Sequence, residues 1–244
     1  MNKTAKKATI TALAIAMVAL IIFGNVKRNN STLKDIKATI DCYGEAALIT
    51  DQTIEAYINA ELPWIAHTIV KEIETDAIRD KLKEIPFLNE SEVSISMGGS
   101  LVIRSKQRNP VVRIVNRGAS YYLDSLGTKM PLSEEGQSNV IIGNGDIKTN
   151  NDLKRIVTLS TFIYRNETYR TLFDQIYLNA NKDLILVPKI GKQTILIGDT
   201  NDLEKKFNNL MTFYKKGMPE AGWETYDKIN LKFNNQIICT RNKQ

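Results

Sequence analysis

Hydrophobic and polar positions fall into two regimes along the chain. The first is a run without charge, Ala8-Thr-Ile-Thr-Ala-Leu-Ala-Ile-Ala-Met-Val-Ala-Leu-Ile-Ile-Phe-Gly24, which continues to Val26 and lies between Lys7 and Lys27. As a helix, residues 8–26 would span about 28 Å, close to the ~30 Å hydrocarbon core of a bilayer. Two threonines leave it no polar face, so the pattern predicts a membrane span rather than a buried soluble helix. Lys3, Lys6 and Lys7 ahead of the run would also suit a cleaved signal peptide. The run ends in Leu20-Ile-Ile-Phe-Gly-Asn-Val-Lys27, however, with bulky groups where cleavage requires small ones, which favours a retained anchor.

The second regime alternates short apolar patterns with turn residues. Ile36, Ala38, Ile40 and Cys42 share one face of a strand. Asp51 is placed to cap a helix bearing Ile54, Tyr57 and Ile58, stopped at Pro63; residues 64–73 read as an extended connection. Thr75 is placed to cap a second helix with the stripe Ile78, Leu82 and Ile85, ended by Pro86. Two alternating runs follow (Val93, Ile95, Met97 and Leu101, Ile103, Ser105), joined through Gly98-Gly99-Ser100. The order strand, helix, helix, strand, strand predicts a small sheet with helices on one face.

Gln107-Arg-Asn-Pro110 marks a boundary, beyond which strands dominate: residues 111–115, 119–123, 140–142, 175–179, 184–189 and 194–197. One helix is expected from Asn151, with Leu153, Ile156, Val157, Ser160 and Ile163 inward. Another carries Leu203, Phe207, Leu210 and Tyr214 and closes at Gly217. The chain finishes with residues 228–233 and 236–240, a hairpin on Asn234-Asn235. The fold class expected is α+β: a single N-terminal transmembrane helix, a βααββ module, and a mostly antiparallel β domain with flanking helices.

Composition narrows the function classes. A net charge of +6 is scattered, with no basic block or basic–aromatic stripe, so nucleic-acid binding has little support. Cys42 and Cys239 are too few and too far apart for a disulfide framework or a zinc site and read as buried thiols. The single histidine, His67, lies in an apolar run with no Gly-x-Ser-x-Gly elbow, and no Walker, His-Glu-x-x-His, Cys-x-x-Cys or calcium-loop pattern occurs. Gly143-Asn-Gly-Asp146 reads as a turn, Glu72, Glu74, Glu134 and Glu135 as solvated surface, and Trp64 and Trp223 as core. The expectation is no catalytic residue, no cofactor, no metal, no small-molecule substrate and no nucleic acid. The last strand, Gln236, Ile237, Ile238, Cys239 and Thr240, carries neither proline nor inward charge. At a sheet edge it could pair with a partner strand; equally, a neighbouring element could cover it. A membrane-tethered enzyme or peptide chaperone with a cleft near His67, or a generic membrane-tethered envelope adaptor, are the alternatives.

Three short motifs, in order along the chain, resemble the FtsQ/DivIB cell-division proteins. Gln107-Arg-Asn-Pro-Val-Val112 resembles the family's Glu-Arg-x-Pro-Val junction. Asp124-Ser-Leu-Gly-Thr-Lys-Met-Pro131 resembles its Asp-x-x-Gly-x-x-Phe-Pro segment, with Met for Phe. Ile229-Asn-Leu-Lys-Phe233 resembles its Ile/Val-Asp-Leu-Arg-Tyr strand. The resemblance implies a cytoplasmic tail (1–7), a transmembrane helix (8–26), a linker (27–35), a POTRA domain (36–107) and a β domain (108–244). Flanking charge does not settle orientation; the resemblance implies an N-terminus in the cytoplasm and a periplasmic C-terminal domain, in the inner membrane at the division site. It further implies a non-enzymatic scaffold that joins FtsB/FtsL-type coiled-coil proteins, by strand addition, to other division components, some of them through the POTRA module. Carried onto this sequence, the partner-binding residues are Leu231, Phe233, Gln236, Ile237, Ile238, Cys239 and Thr240.

Overall fold

A computed structural model describes residues 3–42, 46–233 and 236–242. The chain divides into two compact units, residues 1–107 and 108–244. The first unit opens with helix α1 (Lys3–Asn29), whose side chains from residue 10 to residue 26 are all exposed. Among the described residues, no helix is long and apolar enough to cross a membrane. The segment after α1 is held rather than loose: Val70 N–H donates to Ser31 O, Thr32 bridges to Ile69, and Lys34 N–H donates to Gly99 O.

Strand β1 (Ile36–Asp41) is followed by α2 (Asp51–Glu61), α3 (Thr75–Leu82), β2 (Leu88–Ile95) and β3 (Leu101–Gln107). The sheet order is β1-β3-β2, with β1 parallel and β2 antiparallel to β3. Ile54 and Ile58 of α2 and Ile78 and Leu82 of α3 are fully buried against Leu101 and Ile103 of β3 in one cluster. Two carboxylates of α2 reach the free side of β1: Glu55 Oε1 accepts from Ala38 N–H and Asp51 Oδ1 from Ile40 N–H, both at 2.9 Å. Buried Gln107 accepts from Leu48 N–H and donates to Ala46 O, tying the end of β3 to the loop before α2.

Several local expectations shift. Thr50, not Asp51, caps α2, with its hydroxyl accepting from Thr53 N–H. Residues 64–73 are not extended: Pro63–His67 and Val70–Glu72 form 3-10 turns, the first entered through a proline whose missing N–H needs no partner there. Thr75 is the first residue of α3, and Met97 falls in the hairpin turn, 82% exposed.

The second unit is one nine-stranded sheet with helices. Its elements are β4 (Pro110–Asn116), β5 (Ala119–Asp124), β6 (Lys129–Met130), β7 (Ile141–Gly145), α4 (Asn150–Tyr164), α5 (Glu167–Leu172), β8 (Phe173–Leu178), β9 (Leu184–Pro188), β10 (Thr194–Gly198), α6 (Leu203–Ala221), β11 (Tyr226–Asn230) and β12 (Ile238–Arg241). The order is β12-β11-β10-β9-β8-β7-β4-β5-β6. Three of its eight pairings are parallel (β4 with β7, β7 with β8, β10 with β11) and five are antiparallel, so the sheet is mixed with antiparallel pairings in the majority. Helices α4 and α5 carry the chain from β7 to β8, and α6 carries it from β10 to β11, whereas β4 and β7 are linked through β5, β6 and residues 131–140.

Core residues of α4 (Ile156, Leu159, Ile163) and α6 (Phe207, Leu210, Met218) join those of β4, β8, β9 and β10 in a single cluster. Phe162, Tyr169 and Phe173 surround the Phe207 ring at centroid distances of 4.9, 4.7 and 5.7 Å. Gly143 and Gly145 lie in β7, not in a free turn. At Gly145, φ is +110°, and a Cβ there would overlap the Leu178 carbonyl, so no other residue fits without a shift. The cap of α4 is Thr149, in a capping box with Asp152, rather than Asn151. Helix α6 runs past Gly217 and over Pro219 to Ala221. It ends at Gly222, φ +88°, whose N–H donates to Met218 O.

Candidate partner-binding edge

The hairpin of β11 and β12 forms one end of the nine-stranded sheet. Its inner strand is seated firmly. Ile195 of β10 pairs with Ile229, both fully buried, and just past the strand Leu231 N–H donates to Leu196 O at 2.9 Å. Lys232 then crosses over Gly198, where a Cβ would lie 2.7 Å from Lys232 Cγ, and its ammonium meets both carboxylate oxygens of Asp183 at 3.0 and 3.1 Å. The glycine, φ +78°, provides the room for the lysine stem, and the ion pair ties the hairpin to the β8–β9 turn.

Outward from there, Ile229 pairs with Cys239 and Asn230 with Ile238, antiparallel. In the described residues β12 has β11 on one side and no strand on the other. Of the sequence-predicted site residues, Leu231 is buried beneath the hairpin, and Ile237 and Cys239 are half-buried and pack on the core cluster. Phe233 (46% exposed), Gln236, Ile238 (43% exposed) and Thr240 face solvent. Strand β11 stops at Asn230, three residues short of the expected strand, and Asn234-Asn235 lies outside the described residues. Beside the edge, Phe213 of α6 packs on Tyr226 at 5.9 Å between ring centroids.

The hairpin's surroundings are stiffened by a charge network that sequence reasoning missed. Lys182, at a turn position with φ +65°, donates to Asp152 Oδ2 at 3.0 Å and to Asp146 Oδ2 at 3.1 Å. Asp152 Oδ2 also accepts from the N–H groups of Lys148 and Thr149 at 2.9 and 3.0 Å. Burial pushes the Asp152 carboxyl up, but hydrogen bonds from Lys148 N–H, Lys182 and Thr149 outweigh it and hold the group at about 2. Burial pulls the Lys182 ammonium down, and Asp152 and Asp146 carry it above its ordinary value. Arg155 donates to Lys182 O and to Gly198 O, so α4, the β8–β9 turn and the end of β10 are joined. The readable part of this network was the Thr149-x-x-Asp152 spacing of a capping box; the contribution of Lys182 from 30 residues away had no local signal.

The other candidate residues are scattered. His67 is exposed at the end of its 3-10 turn, and Glu72, Glu74, Glu134 and Glu135 are exposed. Trp64 and Trp223 are not core, at 44% and 45% exposed. Cys42 and Cys239 are free and half-buried rather than buried, and burial raises both thiols above their ordinary value. Among the described residues, no group of three or more His, Cys, Asp or Glu side chains could hold a metal ion.

No curated protein matches the chain. A family profile described as FtsQ/DivIB, C-terminal related, matches residues 109–240, which takes in every strand from β4 to the β11–β12 edge. More than half of the chain lies within that match, and the chain belongs to the FtsQ/DivIB C-terminal-related family.

Proposed function

We propose that this protein is a membrane-anchored scaffold of the division machinery that captures a partner strand along β12. Membership of the family supports a role in cell division, and the family is a non-catalytic one. The observation that carries the reading is the position of β12: an end strand with Ile238 and Thr240 outward and one side without a strand among the described residues. Such an edge presents backbone donors and acceptors to an incoming strand, and the exposed Ile238 and Phe233 offer apolar contact to its side chains. The partner is an FtsB/FtsL-type coiled-coil protein, and Leu231 acts from beneath by fixing β11.

Anchoring is assigned to α1. Its described side chains begin at Ile10, and Ala8 and Thr9 extend the uncharged run to residues 8–26. Ile10, Leu13, Leu20 and Phe23 are 62–71% exposed, an apolar surface that lipid would cover. Residues 1–7 are then the cytoplasmic tail and the chain beyond residue 26 is periplasmic, with residues 36–107 as a POTRA module that contacts other division components.

Consecutive strand residues direct their N–H groups to opposite edges: Leu231 N–H faces β10, so Asn230 faces β12 and its partner Ile238 faces back, which makes Ile238→Pro the loss of a donor to β11 and Cys239→Pro the loss of an outward donor. The expected result is that the outward variant stays folded by near-UV circular dichroism and loses capture of the coiled-coil partner in a pull-down. Unchanged capture by both folded variants refutes strand addition. Extraction of the full chain by alkaline carbonate refutes the anchor, and a tagged protein spread evenly around the cell refutes the division-site reading.

A further inference from the structure

We propose that the outward face of α4 is a second docking site, fitted to an amphipathic helix of a partner protein that carries carboxylates. The site lies away from the β12 edge and does not depend on strand addition. An open groove of about 780 Å³ follows this face. Its floor is a stripe of α4 and the residue just beyond it, from Asn150 to Arg165 in steps of three and four, which is one face of a helix about 22 Å long. Leu153, Val157 and Phe162 make the floor apolar. One wall is Leu203 at the start of α6, and the other is Leu123 with Leu126 in the turn after β5.

Leu126 is the unusual residue. It is 83% exposed, yet its turn is clamped. Asp124 Oδ1 accepts from Leu126 N–H at 2.9 Å and from Thr128 N–H at 2.7 Å, Asp124 O accepts from Gly127 N–H at 3.0 Å, and Asp124 Oδ2 meets the Arg108 guanidinium at 2.7 Å. The Arg108–Asp124 pair is itself largely buried. An apolar side chain held out over an apolar groove by a buried ion pair is ordered before any partner arrives, which lowers the entropy lost on binding.

Charge selects the occupant. Lys154 and Arg165 line the groove, both exposed, and no carboxylate does. Eleven residues apart, they lie on the same face of α4, about 16 Å from one another along its axis. A helix laid along the stripe meets both cations when its own carboxylates are about three turns apart beside an apolar i, i+3, i+4, i+7 stripe.

The test uses the full chain in nanodiscs of neutral lipid and two fluorescent synthetic peptides of about 15 residues with one leucine stripe. One peptide has glutamates about eleven residues apart, and the other has lysines there. Anisotropy is expected to give the glutamate peptide an affinity about tenfold or more above the lysine peptide. Lys154→Glu combined with Arg165→Glu should invert that order, and Leu126→Asp should weaken the glutamate peptide about tenfold with an unchanged near-UV circular dichroism spectrum. The wild-type preference should persist in the Cys239→Pro chain. Equal affinities, a preference insensitive to charge reversal, or equal binding to empty nanodiscs would overturn the proposal, the last by assigning the affinity to lipid.

Discussion

Replacing Asp152 by Asn tests whether the charge network holds the second unit together. Asn keeps an oxygen to accept from Lys148 and Thr149 N–H but removes the negative charge that Lys182 meets at 3.0 Å. The native carboxyl, at about 2 against an ordinary 3.8, corresponds to about 2.4 kcal/mol of stabilisation near neutral pH. Lys182 is about one-third exposed, so solvent screens part of this, and about 1–2 kcal/mol is the expected loss. Asp152→Ala also leaves two backbone donors without the cap, which adds about 1 kcal/mol. The pH dependence has a definite sign. Between about pH 4 and pH 2 the unfolded chain holds a proton on this group that the folded chain lacks, so the contribution is complete above the unfolded value and disappears as pH falls through about 2. Urea denaturation in a Trp64→Phe background makes Trp223, whose ring lies 5.3 Å from that of Tyr214, the reporter for this unit. The gap between wild type and Asp152→Asn should be present at pH 7 and largely closed at pH 2. Equal stabilities at pH 7, or a gap that persists at pH 2, would refute the electrostatic account.

Two further substitutions probe geometry. Gly145→Ala places a Cβ onto the Leu178 carbonyl at φ +110° and should lower stability by about 2 kcal/mol or more, read as a reduced urea midpoint. Asp124→Ala leaves the Arg108 guanidinium without its carboxylate and releases the turn that carries Leu126. A loss of about 3 kcal/mol is expected, together with faster amide exchange at Leu126 and Thr128.

Much of the local structure could be read from periodicity, because alternation and helical spacing report directly on which face is buried. β1, β2, β3, α2, α3 and both long helices of the second unit fall at or near their expected places. The misses have separate causes. Gly217 looked like a stop, but a glycine inside a helix costs only about 1 kcal/mol, and here the Phe213 ring lies over it, with its Cδ2 2.7 Å from where a Cβ would be. Six-residue α5 and two-residue β6 are too short to build a periodic signal. Core is the default for a large aromatic such as Trp64 or Trp223, yet the neighbours of each leave nearly half of it exposed. The apolar character of the candidate strand was legible in residues 236–240. Its place at the end of the sheet was not, since strand order depends on pairings between residues far apart in sequence.

That order bears on why β12 stands out. Two sheets have four end strands, and three of them are blunted in ways proteins use against unwanted pairing. On β1, the donors of Ala38 and Ile40 are already taken by Glu55 and Asp51. β2 is long but sets exposed Glu90 and Glu92 along its length. β6 is two residues, too short to template a strand. β12 shares none of these devices through Ile238, Cys239 and Thr240, and its first charge is Arg241 at the end. A bare edge of this kind is a liability for aggregation, and its contrast with the three defended edges supports the proposal that a partner strand pairs with β12. The stiff support beneath it, from Leu231 in the core to Lys232 on Asp183, fits the same purpose: an edge recognises a strand by register only when its own register is fixed.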